Sequence, residues 1–308
     1  GEMSRLGKIA DPDILVVTHI GRCHIGMFGS QRDLIRAKAE IFDHLRPECI
    51  LIINGECPRT PEFLSHARHD HRHVVCGMSN SADVFAQDIE PLPEGGYKFL
   101  VMLPRKAPYS VRLPVYGRYN IHNALAVFAV MDLLGVSPDK VAQSLAAFVP
   151  AHMRSEVRSC GDVTFITDCY NANPDSMSQS LISLQDAPCP GRTYVVLGDM
   201  LELGDQAESL HREVGTVAAS VPIDLVVTCG TSSRWISDEV ARAGRKSVHT
   251  ADHLQAADLL GPMLKPGDRL LIKGSRVMKM ENLAAMLMES LKKRNSIQDG
   301  GRKCSTCL

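Results

Sequence analysis

Short, unbroken apolar runs recur along the chain with helical patterns between them: ILVVTHI at 14–20, a helix near 30–45, CILIIN at 49–54, a short helix near 61–68 and HVVCGM at 73–78. A strand with one wet face alternates apolar and polar residues. A strand that is apolar throughout is covered on both faces, and with helices in between it belongs to a parallel sheet. From Ala82 to Val115 the pattern changes to strand-like pieces separated by PLPEGG, which predicts an antiparallel hairpin region. Two helices follow, NIHNALAVFAVMDLLG with Gly135 as its stop and SPDKVAQSLAAF starting at Ser137 with Pro138 in the first turn. After Pro150 a second alternating series begins, with strands near 163–167, 193–197, 224–229, 247–249 and 269–273. The expectation is an α/β protein of two domains, 1–150 and 151–293, the second doubly wound. The polar segment KKRNSIQDGGRKCSTCL predicts a disordered tail over 294–308.

At 308 residues the chain is long enough for two cores. With 34 basic and 35 acidic residues it carries a formal charge of -1, so no global field draws it to nucleic acid or to an anionic membrane. An anionic ligand has to be met locally. No run reaches the roughly 18 apolar residues of a membrane span, and Gly1 to Ala10 lacks the apolar centre of a signal peptide, so the sequence reads as cytoplasmic. Four of the 10 cysteines, Cys49, Cys76, Cys160 and Cys229, lie in or beside apolar runs and read as reduced core thiols. Cys304 and Cys307 form a C-x-x-C pair without two further ligands. His66, His69, His71 and His73 sit in an Arg-rich connector without companion carboxylates or cysteines and read as a solvated loop.

Ligands of doubly wound sheets bind beyond the carboxyl ends of the strands, and there the polar clusters fall. THIGRCH (18–24) follows ILVV, DCYNANPDSM (168–177) follows VTFI, GDMLELG (198–204) follows YVVL, and KGSR (273–276) follows RLLI. Each has an ordinary reading. Asp or Asn can cap the helix beginning at Pro174, the carboxylates of Asp199 and Glu202 suit a helix start, and Lys273 and Arg276 can be solvated cations. Capping accounts for one or two residues of DCYNANPDSM, which leaves the others for a ligand. Asp168 suits ribose hydroxyls, Asn171 and Asn173 a polar substrate, and Lys273 and Arg276 a carboxylate or phosphate.

Taken in order, HIGRCHIGMFGS, RAKAEIF, GRYNIHNALA, MRSEVR, DCYNANPDSM, LGDMLELG, LHREVG and KGSRVMKME resemble the Mur ligase family from Gly1 to about Leu291. The resemblance implies a central ATP-binding domain, represented here in part, and a Rossmann-like C-terminal domain. It also implies ATP and Mg²⁺ as cofactors, UDP-N-acetylmuramoyl-tripeptide and D-alanyl-D-alanine as substrates, and a monomer when complete. By the same resemblance His24 lies near metal and nucleotide, and Lys38 is the lysine whose carbamylation makes an oxygen ligand for a second Mg²⁺. Asn123 meets the adenine side, Arg154 the ATP phosphates and Asp168 the ribose, while Asn171, Asn173, Lys273 and Arg276 line the peptide side.

The chain also departs from the family. No Gly-Lys-Thr phosphate loop occurs in it, and the resemblance begins midway through the central domain, so phosphoryl transfer by these residues alone is expected to fail. The family usually has Asn at His19, Pro-Ala at Arg22 and Cys23, Gly at Met153 and Asp at Thr167. Two other readings stand beside the ligase: a non-catalytic module that holds nucleotide or dipeptide, and a ligase of another branch that adds an amino acid.

Overall fold

The computed structural model describes residues 1–93 and 95–302, which fall into two compact units, the first Gly1–Val149 and the second beginning at Pro150. In the first unit the described elements run α1 (Glu2–Ala10), β1 (Ile14–Val17), α2 (Ile25–Phe28), α3 (Gln31–Ala39), β2 (Ile50–Asn54), α4 (Thr60–Leu64) and β3 (His73–Gly77), then β4 (Val84–Pro91), β5 (Tyr97–Met102), β6 (Tyr109–Leu113), α5 (Tyr119–Leu133) and α6 (Pro138–Ala146). They form a six-stranded sheet of order β1-β2-β3-β4-β5-β6. Its first four strands are parallel to their neighbours and β4, β5 and β6 pair antiparallel. The hairpin region is therefore fused to the parallel sheet. β2 buries Leu51, Ile52 and Ile53 because helices cover both its faces, whereas β1 is an outer strand and leaves Val16 38% exposed.

The second unit runs β7 (Glu156–Cys160), β8 (Val163–Asp168), α7 (Pro174–Ile182), β9 (Thr193–Gly198), α8 (Ala207–Ser220), β10 (Leu225–Cys229), α9 (Arg234–Arg242), β11 (Ser247–Thr250), α10 (His253–Leu260), β12 (Arg269–Lys273) and α11 (Glu281–Arg302). Its strand order is β11-β10-β9-β12-β8-β7, parallel except for β7 against β8. Every residue of β9, β10 and β12 is buried, which is the continuous apolar pattern read from the sequence. β8 is followed by β9, β10 and β11 on one side and β12 returns to lie between β8 and β9, so the carboxyl ends of these three parallel strands lie side by side at the crevice where such sheets bind ligands.

Four features depart from the sequence reading. α1 and the short α2 are additional, and β7 is an antiparallel strand whose pattern EVRSC has too few apolar residues to signal one. The helix expected over 30–45 is α3 followed by a 3₁₀ segment, Glu40–His44. His71 is buried rather than solvated, with a ring nitrogen, Nδ1, 3.3 Å from the carbonyl of Cys49, and exposed His73 is the first residue of β3 rather than part of a loop. α11 continues to Arg302, past the start of the expected tail, and Arg294 donates to the carbonyls of Gly261 and Leu264. Cys304 and Cys307 lie outside the described residues. Cys49, Cys76, Cys160 and Cys229 are buried and unpaired, as read.

Candidate functional site

In the first unit the polar residues gather at the carboxyl ends of β1, β2 and β3. Thr18 accepts from the Asn54 amide at 3.1 Å, which ties the end of β1 to the end of β2. Two residues on, the Glu56 carboxylate accepts from the Met78 N–H at 2.5 Å and lies 3.2 Å from Nε2 of His122 on α5. Burial holds His122 below the ordinary imidazole range although Glu56 pulls the other way, so the ring is neutral near pH 7 and its Nε2–H faces the carboxylate as a hydrogen-bond donor. Cys57 follows, buried and accepting from the Ile20 N–H at 3.4 Å. Burial raises its thiol, but hydrogen bonds from His19 and the backbone of Ile20 and Arg59, with the charge of His19, outweigh that and bring it to about 6. Glu56, Cys57 and His122 were not singled out in the sequence, because what brings them together is the packing of α5 against the end of β2.

The expected residues of this unit are less tightly built in. His24 is exposed, in the left-handed region (φ 62°), ahead of α2. Ser30 caps α3 through the Asp33 N–H at 3.1 Å, and that helix carries Lys38, half-buried, in its last turn. Asn123 is exposed near the start of α5 and donates to Asn120 at 3.1 Å. Among the described residues no three His, Cys, Asp or Glu converge as a metal set.

The second unit brings its predicted residues together. Lys273, 2% exposed at the end of β12, lies 2.5 Å from Oδ2 of Asp168 at the end of β8, because the two strands are neighbours in register. Asp168 also accepts from Ser180 Oγ at 3.0 Å and from the Ser155 N–H at 3.1 Å, and Lys273 donates to the Asn171 carbonyl at 3.3 Å. Two residues expected to face different ligands are thus partners of each other. Asn173 is the N-cap of α7, accepting from the Ser176 N–H at 2.9 Å while Ser176 Oγ accepts from the Asn173 N–H at 3.1 Å. Exposed Asn171 accepts from the Ala172 N–H at 2.8 Å. The capping reading therefore holds for Asn173, and the strand-end reading for the cluster as a whole.

Arg154 is presented by a strained turn. Met153 and Ser155 on either side have φ 61° and 49°, a conformation costly for residues with a Cβ. The turn is tied to both neighbouring strand ends: Met153 accepts from the Tyr170 N–H at 3.2 Å, and its sulfur lies 3.3 Å from Arg276, which pairs with Glu281 at 2.6 Å. The Arg154 guanidinium lies 3.8 Å over the centre of the Tyr170 ring. Stacking leaves the in-plane N–H donors of an arginine directed outward, the edge that meets phosphate or carboxylate.

Asp199, at the end of β9, is a structural clamp. Its carboxylate accepts from the N–H groups of Thr231 at 3.0 Å and Ser233 at 2.7 Å and closes against Gly230 (φ 127°), where a Cβ would lie 2.5 Å from Oδ1. Next to it His211 is fully buried, accepting from the Met200 N–H at 3.1 Å and bonding the Ala207 carbonyl at 2.6 Å, which fixes the Nδ1–H tautomer.

Residues 1–131 match the Mur ligase middle domain, and residues 153–276 match the glutamate ligase domain of Mur ligases. The UDP-N-acetylmuramoyl-tripeptide–D-alanyl-D-alanine ligase of Bacillus subtilis (strain 168) is 31% identical over 294 residues, covering 94% of this chain and 62% of that protein. Among solved structures, MurF from Acinetobacter baumannii superposes with a TM-score of 0.82 at 30% identity, covering 93% of this chain and 62% of that one. The MurF ligase from Thermotoga maritima, solved in complex with ADP, gives a TM-score of 0.82 at 25% identity over 96% of this chain and 66% of that one. The chain spans about three fifths of the length of the curated relatives it matches.

Proposed function

Because this chain belongs to the Mur ligase family through both of its domains, we propose that it is the larger part of an ATP-dependent ligase that joins D-alanyl-D-alanine to UDP-N-acetylmuramoyl-tripeptide. The observation that carries the reading is the polar crevice at the adjoining ends of β8 and β12, presented beside the Arg154 turn. ATP with Mg²⁺ would supply the phosphoryl group that activates the tripeptide carboxylate as an acyl phosphate. The chain's own residues hold and orient what reacts. Arg154 meets the phosphates with its outward donors, which lowers the energy of the charge that builds up during transfer. Asn123 takes the adenine side. Asn171, Asn173 and Arg276 orient the dipeptide so that its amine stands close to the acyl carbon, converting an encounter into a positioned attack. His24 and Lys38 fit a metal position only when Lys38 is carbamylated, since an ammonium ion cannot ligate Mg²⁺ whereas a carbamate offers hard oxygen. ATP and a nucleotide-linked substrate place the reaction in the cytoplasm, in peptidoglycan precursor synthesis.

The test is product analysis by mass spectrometry. With both substrates, ATP and Mg²⁺, and with the remaining length supplied by a relative's amino-terminal segment, the tripeptide gains one D-alanyl-D-alanine unit. A product carrying a single amino acid would mean a ligase of another branch. Nucleotide binding without any product would favour a non-catalytic module.

A further inference from the structure

We propose that Lys273 is a positioning residue that sets Arg154 by way of the Asp168 carboxylate, rather than a group that touches a ligand itself. The inference rests on the reading of Arg154 as the phosphate-binding arginine and goes beyond it in saying what holds that side chain. Lys273 is 2% exposed and Asp168 9%, so neither charge presents itself to solvent. The carboxylate is already engaged by three donors, Lys273 Nζ, Ser180 Oγ and the Ser155 N–H. The last of these is the link to function. Ser155 follows Arg154 and holds φ 49°, and Met153 before it holds φ 61°. A turn with two such residues persists only when its surroundings over-determine it. Here the Asp168 carboxylate fixes one end of the turn, and the Tyr170 N–H fixes the other at Met153. Between those anchors the Arg154 guanidinium lies flat on Tyr170. Lys273 Nζ and Ser180 Oγ hold the carboxylate in the orientation that accepts from Ser155; without the lysine a buried carboxylate loses its charged partner and is free to turn away from that N–H.

The test is a double-mutant cycle in ADP affinity, measured calorimetrically on the full chain. Lys273→Met weakens ADP about 10- to 100-fold, the size of a lost charge-assisted contact, and adds nothing further once Arg154→Ala is present. Ser180→Ala, which takes one donor from the same carboxylate and leaves the ion pair, serves if Lys273→Met does not fold. It costs roughly 3-fold, again only while Arg154 is present. Losses that multiply with that of Arg154→Ala would show that Lys273 touches the nucleotide itself and would overturn the proposal. A fall in thermal stability with unchanged affinity would overturn it as well. If the wild-type chain does not bind ADP, the nucleotide reading fails separately, and crystal structures without nucleotide decide the positioning claim. Arg154 leaves the Tyr170 ring in Lys273→Met if it is right and stays in place if it is wrong.

Discussion

Two cysteines follow strand ends in the two units and are equally hidden, Cys57 at 2% and Cys169 at 0% exposure, yet their thiols are pushed in opposite directions. Burial raises both. At Cys57 the hydrogen bonds from His19, Ile20 and Arg59 reverse that and bring it to about 6; at Cys169 the charges of Asp168 and Glu281 add to burial, push it up to about 12, and the thiol donates to the Ile272 carbonyl. Burial alone therefore does not define a strand end; the neighbouring donors and charges do. In the first unit N–H groups and the His19 imidazole converge on the Cys57 sulfur, an environment that favours its thiolate. The second surrounds its strand ends with carboxylates already matched to Lys273 and Arg276, an environment ordered before any ligand arrives.

The contrast breaks first at Lys273. Lys273→Met leaves Asp168 uncompensated and is expected to cost about 3–5 kcal/mol of the second unit's stability. The single tryptophan, Trp235, lies in that unit against His211 and reports its unfolding in urea, while hydrogen exchange over 1–149 stays unchanged. An equal loss in both units would refute the separation.

Acidity sharpens it next. Cys57 has a folded pKa of about 6 below its ordinary 9.0, so its contribution is full above pH 9.0, and is lost as pH falls toward 6. The first unit should gain up to about 1.4 kcal/mol per pH unit across that window, and Cys57→Ala should flatten the slope in exchange-based stability measurements. His211 is buried and neutral, its folded pKa held below 6.5 by burial despite the Ala207 carbonyl and Asp199. Its contribution is intact above pH 6.5 and declines as pH drops below that value, because only the unfolded chain takes up the proton. Trp235 fluorescence should show a second unit that is insensitive to this group between pH 7 and 9 and loses stability as pH falls below 6.5, a dependence that His211→Gln removes. The smallest effect belongs to the α7 cap: Asn173→Ala removes the bond from the Ser176 N–H and should cost about 1 kcal/mol by urea titration.

Much of the fold was legible because β2, β9 and β12 each carry an unbroken apolar run and β8 and β10 are interrupted only by threonines before their ends, and a pattern of that kind has few solutions. β7 was hidden because an outer antiparallel strand such as EVRSC carries only part of an apolar face. DCYNANPDSM stood out as a candidate site from its density of amides and carboxylates, and a capping share for Asp or Asn was expected with it and falls to Asn173. What could not be read was pairing across sequence. Lys273 and Asp168 are 105 residues apart, and only the adjacency of β12 and β8 makes them partners. The same holds for Glu56 and His122 in the first unit. The family's usual Gly at Met153 does mark a positive φ, but that mark became interpretable only with the turn in view.

The most direct measurement is turnover by complementation. The chain is combined with ATP, Mg²⁺, UDP-N-acetylmuramoyl-tripeptide and D-alanyl-D-alanine, with and without the separately produced amino-terminal segment of the Bacillus subtilis relative, and phosphate release is followed. The expected result is silence from the chain alone, release with the segment present, and loss of that release in Arg154→Ala. Release that survives Arg154→Ala unchanged, or silence from the complemented chain when the segment is folded and bound, would contradict the reading of these strand ends as the ligase site.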